Sequence, residues 1–93
     1  MIYVTYDGGS RLEVRGHARS GPKGRDLVCA GVTALVLTLR ENCREAELRS
    51  GYAKLSGGSG EIFRGVSRGF ALLAKNFPQC VHYKCLEERS MRP

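Results

Sequence analysis

Leu27, Val28, Val32, Leu35, Val36 and Leu39 recur at helical spacing and cover most of a helix circumference. A helix that apolar has to be laid against another layer, so it dictates a packed fold around itself. The spacing predicts it over residues 27 to about 42, largely buried, with Arg40, Glu41, Asn42 and Arg44 marking its exit. With 93 residues the chain holds one modest core, so the expectation is a single domain over residues 1–93. Gly31, Thr33 and Thr38 break the apolar run well short of the roughly 18–20 residues of a membrane span. Residues 1–4 open directly into structure, with neither a basic segment nor a small-residue cleavage site. A cytoplasmic protein without a membrane segment is therefore expected.

The covering layer reads as a sheet. Ile2, Val4 and Tyr6 alternate with Tyr3, Thr5 and Asp7, the period of a half-buried strand. Asp7, Gly8, Gly9 and Ser10 supply a tight turn, and Leu12 and Val14 alternate in a second strand ending at Gly16. Residues 45–50 alternate again, with Ala46 and Leu48 predicted inward. Ser50 and Gly51 form a turn, residues 52–55 a short strand, and the Ser/Gly run 56–60 a flexible connector. Ile62, Val66, Phe70, Leu73 and Phe77 predict a second amphipathic helix that stops before Pro78. Residues 79–86 add a short last strand. The order ββα-ββα-β implies an α+β two-layer sandwich, a mostly antiparallel sheet with two helices packed on one face.

The chemistry gathers where the first hairpin meets the first helix. His17 follows the strand that ends at Gly16, and twelve residues later Cys29 stands in the opening of the helix. With Asp26 as the N-cap, Cys29 falls at the third helical position. Unpaired amides and the positive end of the helix dipole favour a thiolate there, the reactive form of cysteine. An imidazole at His17 is suited to exchange protons with the thiol and a leaving group. Competing readings are plain ones: Cys29 as a small buried apolar residue, His17 as a turn residue, His82 as an ordinary strand residue. Asp26 either caps the helix or orients the His17 ring.

Cys29, Cys43, Cys80 and Cys85 are expected to be free thiols, since nothing indicates an oxidising compartment. Cys80, His82 and Cys85 mimic a ligand cluster, but along a strand Cys85 points away from the other two, and no Cys-x2-Cys pair completes a tetrahedral site. No metal and no cofactor are expected.

The run Gly16-His17-Ala18, followed by Gly24-Arg25-Asp26-Leu27-Val28-Cys29-Ala30-Gly31-Val32-Thr33-Ala34-Leu35, resembles the ribosomal-processing cysteine proteases of the Prp family. Their pattern is Gly-His-Ala, a loop, Gly-x-Asp, two aliphatics, Cys-Ala-Ala, an aliphatic and Ser-Ala-Leu. Gly31 and Thr33 depart from it where alanine and serine are usual. The resemblance implies Cys29 as nucleophile and His17 as general acid and base, with Asp26 as the acidic residue. It implies an endopeptidase that removes a short N-terminal extension from a large-subunit ribosomal protein, the twenty-seventh of the L series, after an aromatic and aliphatic stretch. Homodimers are usual in the family.

On that reading the amides of Cys29 and Ala30 cradle the oxyanion, and Ser20, Gly21 and Gly24 belong to a flap that closes over the peptide. An apolar trough is needed for the substrate side chains, and the sequence leaves open whether Tyr3, Tyr52 or Phe63 lines it. The formal charge of +6 suggests an alternative, a non-catalytic ribosome- or RNA-associated binding module. Against it, the fifteen basic residues are spread along the chain with no cluster and no aromatic-rich strand motif, so no direct nucleic-acid contact is expected. A thiol redox protein lacks its resolving cysteine two or three residues from Cys29. The same fold acting on another protein stays open.

Overall fold

A computed structural model describes residues 1–16 and 25–86. The element order is β1 (Ile2–Tyr6), β2 (Arg11–Gly16), α1 (Arg25–Arg40), β3 (Cys43–Arg49), β4 (Tyr52–Gly58), α2 (Gly60–Asn76) and β5 (Val81–Cys85). The five strands lie in the order β3-β4-β2-β1-β5. Every pair is antiparallel except β1 with β5, which run parallel. This is the predicted α+β sandwich. No helix among the described residues is long and apolar enough to cross a membrane.

Local chemistry explains the first hairpin. Asp7 Oδ1 accepts from the amides of Gly9 (2.8 Å) and Arg11 (3.1 Å), while Gly8 takes a positive φ of 90°. The Tyr6 hydroxyl donates to the Gly9 carbonyl at 2.9 Å, closing the turn from the core side. Ile2, Val4, Tyr6, Leu12 and Val14 then face the helices, joined by Ala53, Leu55 and Val81. From above, α2 inserts Phe63 and Phe70, both fully buried. Each contributes about 1.5–3 kcal/mol by leaving water. Its start is capped by Ser59, whose Oγ accepts from the Ile62 amide at 3.3 Å.

The two helices approach closely because each offers a glycine where the other offers a leucine. A β-carbon on Gly31 would lie 3.4 Å from both δ-carbons of Leu73, and one on Gly69 would lie 2.8 Å from Leu35.

Two expectations are corrected and one is refined. The first helix is not largely buried: Val28, Val36 and Leu39 face the core, but Leu27 is 63% exposed and Leu37 41%. Ala46 and Leu48 face the helix side as expected, opposite Leu55 and Ala53, but they are exposed rather than buried, because β3 is the outermost strand and the helices do not cover it. Ser56, Gly57 and Gly58 are the end of β4 rather than a connector. There Gly57 and Gly58 take positive φ values of 85° and 124°, and the Gly57 amide donates to the Ser10 carbonyl at 2.9 Å.

Candidate active site

β2 ends at Gly16, the residue that leads into His17, and its backbone is held from two sides. Its amide donates to the Gly51 carbonyl at 2.9 Å, tying β2 to the turn between β3 and β4. Its α-carbon faces the Met1 carbonyl so closely that a β-carbon would collide with that oxygen, and its φ is +101°. Glycine alone satisfies both conditions. The chain therefore leaves the sheet toward His17 from a fixed point.

Cys29 is the fifth residue of α1, and it is exposed. That removes the competing reading of a buried apolar cysteine, which fits Cys80 instead at 2% exposure. Cys85 is exposed and Cys43 half-buried, with its thiol 3.3 Å from the Glu45 carbonyl. All four are free thiols. Among the described residues, no three His, Cys, Asp or Glu side chains converge in a way that would hold a metal ion.

Two details of the expected site shift with the start of α1. Because the helix begins at Arg25, Asp26 is its second residue and not the capping residue before it. The same start pairs the Cys29 amide with the Arg25 carbonyl, and that of Ala30 with Asp26, in the i to i−4 ladder. The Cys29 and Ala30 amides are thus already engaged. The open donors at this end belong to Arg25, Asp26 and Leu27. His17 and the flap residues Ser20, Gly21 and Gly24 lie outside the described residues.

An apolar groove of about 330 Å³ runs between α1 and the β3–β4 hairpin. Val14, Gly16, Val32, Thr33, Leu37 and Tyr52 are among its walls. Thr33 is one helical turn from Cys29 on one side of the groove, and Gly16, where β2 ends, lines the other. Of the three aromatics left open by the sequence, Tyr52 touches this groove, but the register places it with Tyr3 on the sheet face turned away from the helices. Phe63 is sealed in the core. Sequence reasoning missed Val14 and Leu37, which come together only once β2 and α1 pack.

An exposed thiol in the opening turns of a helix, one turn from the residues that line an apolar groove, is the equipment of a thiol-dependent hydrolase. The family model described as "Cysteine protease Prp" matches residues 1–82, and the chain belongs to that family of cysteine proteases. Solved structures share the fold. A crystal structure of SMU.848 from Streptococcus mutans superposes with a TM-score of 0.76 at 26% identity, over 95% of this chain and 96% of that one. The essential ribosomal processing protease Prp from S. aureus, solved with a substrate peptide, gives 0.76 at 16% identity, over 91% and 99%. The same protease with a covalently linked product peptide gives 0.72 at 15%, over 90% and 96%. No curated protein sequence matches the chain.

Proposed function

We propose that this cysteine protease removes a short N-terminal extension from a large-subunit ribosomal protein, the twenty-seventh of the L series, in the cytoplasm. The observation that carries this is an exposed Cys29 near the start of α1, in a chain of the Prp family. The ribosomal substrate is supported by the description of the S. aureus protein as a ribosomal processing protease.

In the proposed reaction the Cys29 thiolate attacks the scissile carbonyl, forming a C–S bond and a tetrahedral oxyanion. Collapse breaks the C–N bond, and His17, as its imidazolium, protonates the departing amine. His17 then takes a proton from water, whose oxygen attacks the thioester and releases the carboxylate product and the free thiol. No cofactor or metal enters. The open amides of Arg25, Asp26 and Leu27 take over the oxyanion role from those of Cys29 and Ala30. Asp26, inside the helix, keeps the role of orienting His17. The groove beside Thr33 receives the apolar side chains of the substrate, and Ser20, Gly21 and Gly24 keep the flap role expected from the sequence.

The test incubates the protein with a peptide spanning the extended N-terminus, comparing wild type, Cys29→Ala and His17→Ala by mass spectrometry. Cleavage by wild type alone supports the reading. Cleavage that survives Cys29→Ala overturns the assignment of the nucleophile. No cleavage by any form overturns the substrate.

Pairing of two copies belongs to the same reading. Leu27 on α1 and Leu72 on α2 leave apolar surface on the outside of the helix layer. A second copy is the proposed cover, and sedimentation of the wild type against Leu72→Lys tests it.

A further inference from the structure

The face of the sheet turned away from the helices carries an ordering that no stretch of sequence displays. Strand register aligns Arg49 with Tyr52, Tyr52 with Arg15, Arg15 with Tyr3, and Tyr3 with His82. These five residues form one transverse row, one from each strand. Four strand spacings of about 4.8 Å make the row about 19 Å long. Cations and rings alternate along it, and it contains no acid. The Arg49 guanidinium sits 4.4 Å above the Tyr52 ring centroid, and the Tyr3 and His82 rings meet edge to face at 5.9 Å. Tyr3 is 48% exposed, and Arg15, Arg49 and His82 are exposed.

The next row reads Glu47, Lys54, Glu13, Thr5 and Lys84. Its carboxylates are occupied. Glu47 is bridged by Arg49 at 2.7 Å, and Glu13 accepts a hydrogen bond from Tyr52. Two acids and two bases balance in that row, so of these two rows the unbalanced positive charge lies in the aromatic one.

We propose that the row formed by Arg49, Tyr52, Arg15, Tyr3 and His82 is a docking platform for single-stranded RNA. Exposed rings and guanidinium planes on an open sheet stack unpaired bases, while neighbouring cations meet the phosphates. An acidic peptide would use the cations and leave the rings idle. A membrane surface calls for apolar side chains that insert, and the row has none. The choice of RNA over DNA rests on the proposed ribosomal substrate. The platform is separate from Cys29, on the opposite side of the sheet from the helices. It would hold the protease near ribosomal RNA while the groove works on a peptide.

The experiment measures fluorescence anisotropy of a labelled single-stranded RNA of about 12 nucleotides and mixed sequence, a length within known single-strand site sizes. It needs no proteolysis, so its failure and that of the protease reading are distinguishable. Wild type should bind at about 50 mM salt and lose about tenfold at about 150 mM, as expected for three neutralised phosphates. Tyr3→Leu should weaken binding about tenfold while Tyr3→Phe, which keeps the ring, retains it. Arg15→Gln should weaken it about three- to tenfold, whereas Arg68→Gln on α2, the same charge loss on the helix side, should leave it unchanged. Three results overturn the proposal: no binding at low salt, equal losses for Arg15→Gln and Arg68→Gln, or tighter binding to DNA of the same sequence. A Tyr3→Leu variant that binds RNA normally but shows a raised KM for the peptide assigns the row to the peptide, and overturns it as well.

Discussion

Gly16 backs onto the main-chain carbonyl of Met1, with no room for a β-carbon between them. The neighbour is backbone inside a sheet, which cannot swing aside as a side-chain tip would. Gly16→Ala therefore adds a steric clash to the strain of a positive φ. It should cost about 2–4 kcal/mol in urea denaturation. Gly65 is the control. Nothing stands within 4 Å of its would-be β-carbon, so Gly65→Ala in α2 should gain up to about 1 kcal/mol.

Gly31 marks a departure from the family pattern in the helix that carries Cys29. An alanine methyl there would make ordinary contact with Leu73. Gly31→Ala should raise stability by about 0.5–1 kcal/mol, read as a higher denaturation midpoint. A fall instead would show that Leu73 has no room to give.

Exposure sorts the four thiols. Under brief alkylation of the folded protein, Cys29 and Cys85 should be modified and Cys80 protected, by peptide mass spectrometry. Cys29→Ser should lower kcat/KM by at least about 10³-fold with thermal stability unchanged, since the side chain is exposed. Cys85→Ser should leave the activity intact.

Burial pushes the Tyr6 phenol above its usual pKa of 10.0, the largest influence on it. The folded state then holds the Tyr6 proton more tightly than the unfolded chain does. That contribution to stability is complete below pH 10 and is lost as the pH climbs through the raised folded value. Stability should fall in the alkaline range, and Tyr6→Phe should flatten part of that fall. At neutral pH the same variant should cost about 0.5–1.5 kcal/mol, for the lost bond to the Gly9 carbonyl.

The order of elements was legible because alternation and helical spacing are local. Ile2, Val4 and Tyr6 or Val66 and Phe70 carry their pattern within a few residues. Less legible was what stands opposite an apolar residue. Leu27 and Leu48 fit their periodicities, yet they are exposed: Leu27 stands in the first turn of α1 clear of the core, and Leu48 lies on the outermost strand, which the helices leave uncovered. Cys29 could be singled out from its place near a helix start, whereas the exact start of α1 decided which amides remain open. The row from Arg49 to His82 was not legible, since its members come from five strands and meet only through the register.

The parallel pairing of β1 with β5 has a kinetic consequence. Ile2 lies beside Val81, and its amide donates to the Cys80 carbonyl at 2.8 Å. The β1–β2 hairpin closes a loop of a few residues and can form within microseconds. The β1–β5 ladder must close nearly the whole chain, and its loop-closure entropy falls due before any contact repays it. Folding should thus be limited by that last pairing, with the opposite flank of β1 lying bare until β5 arrives.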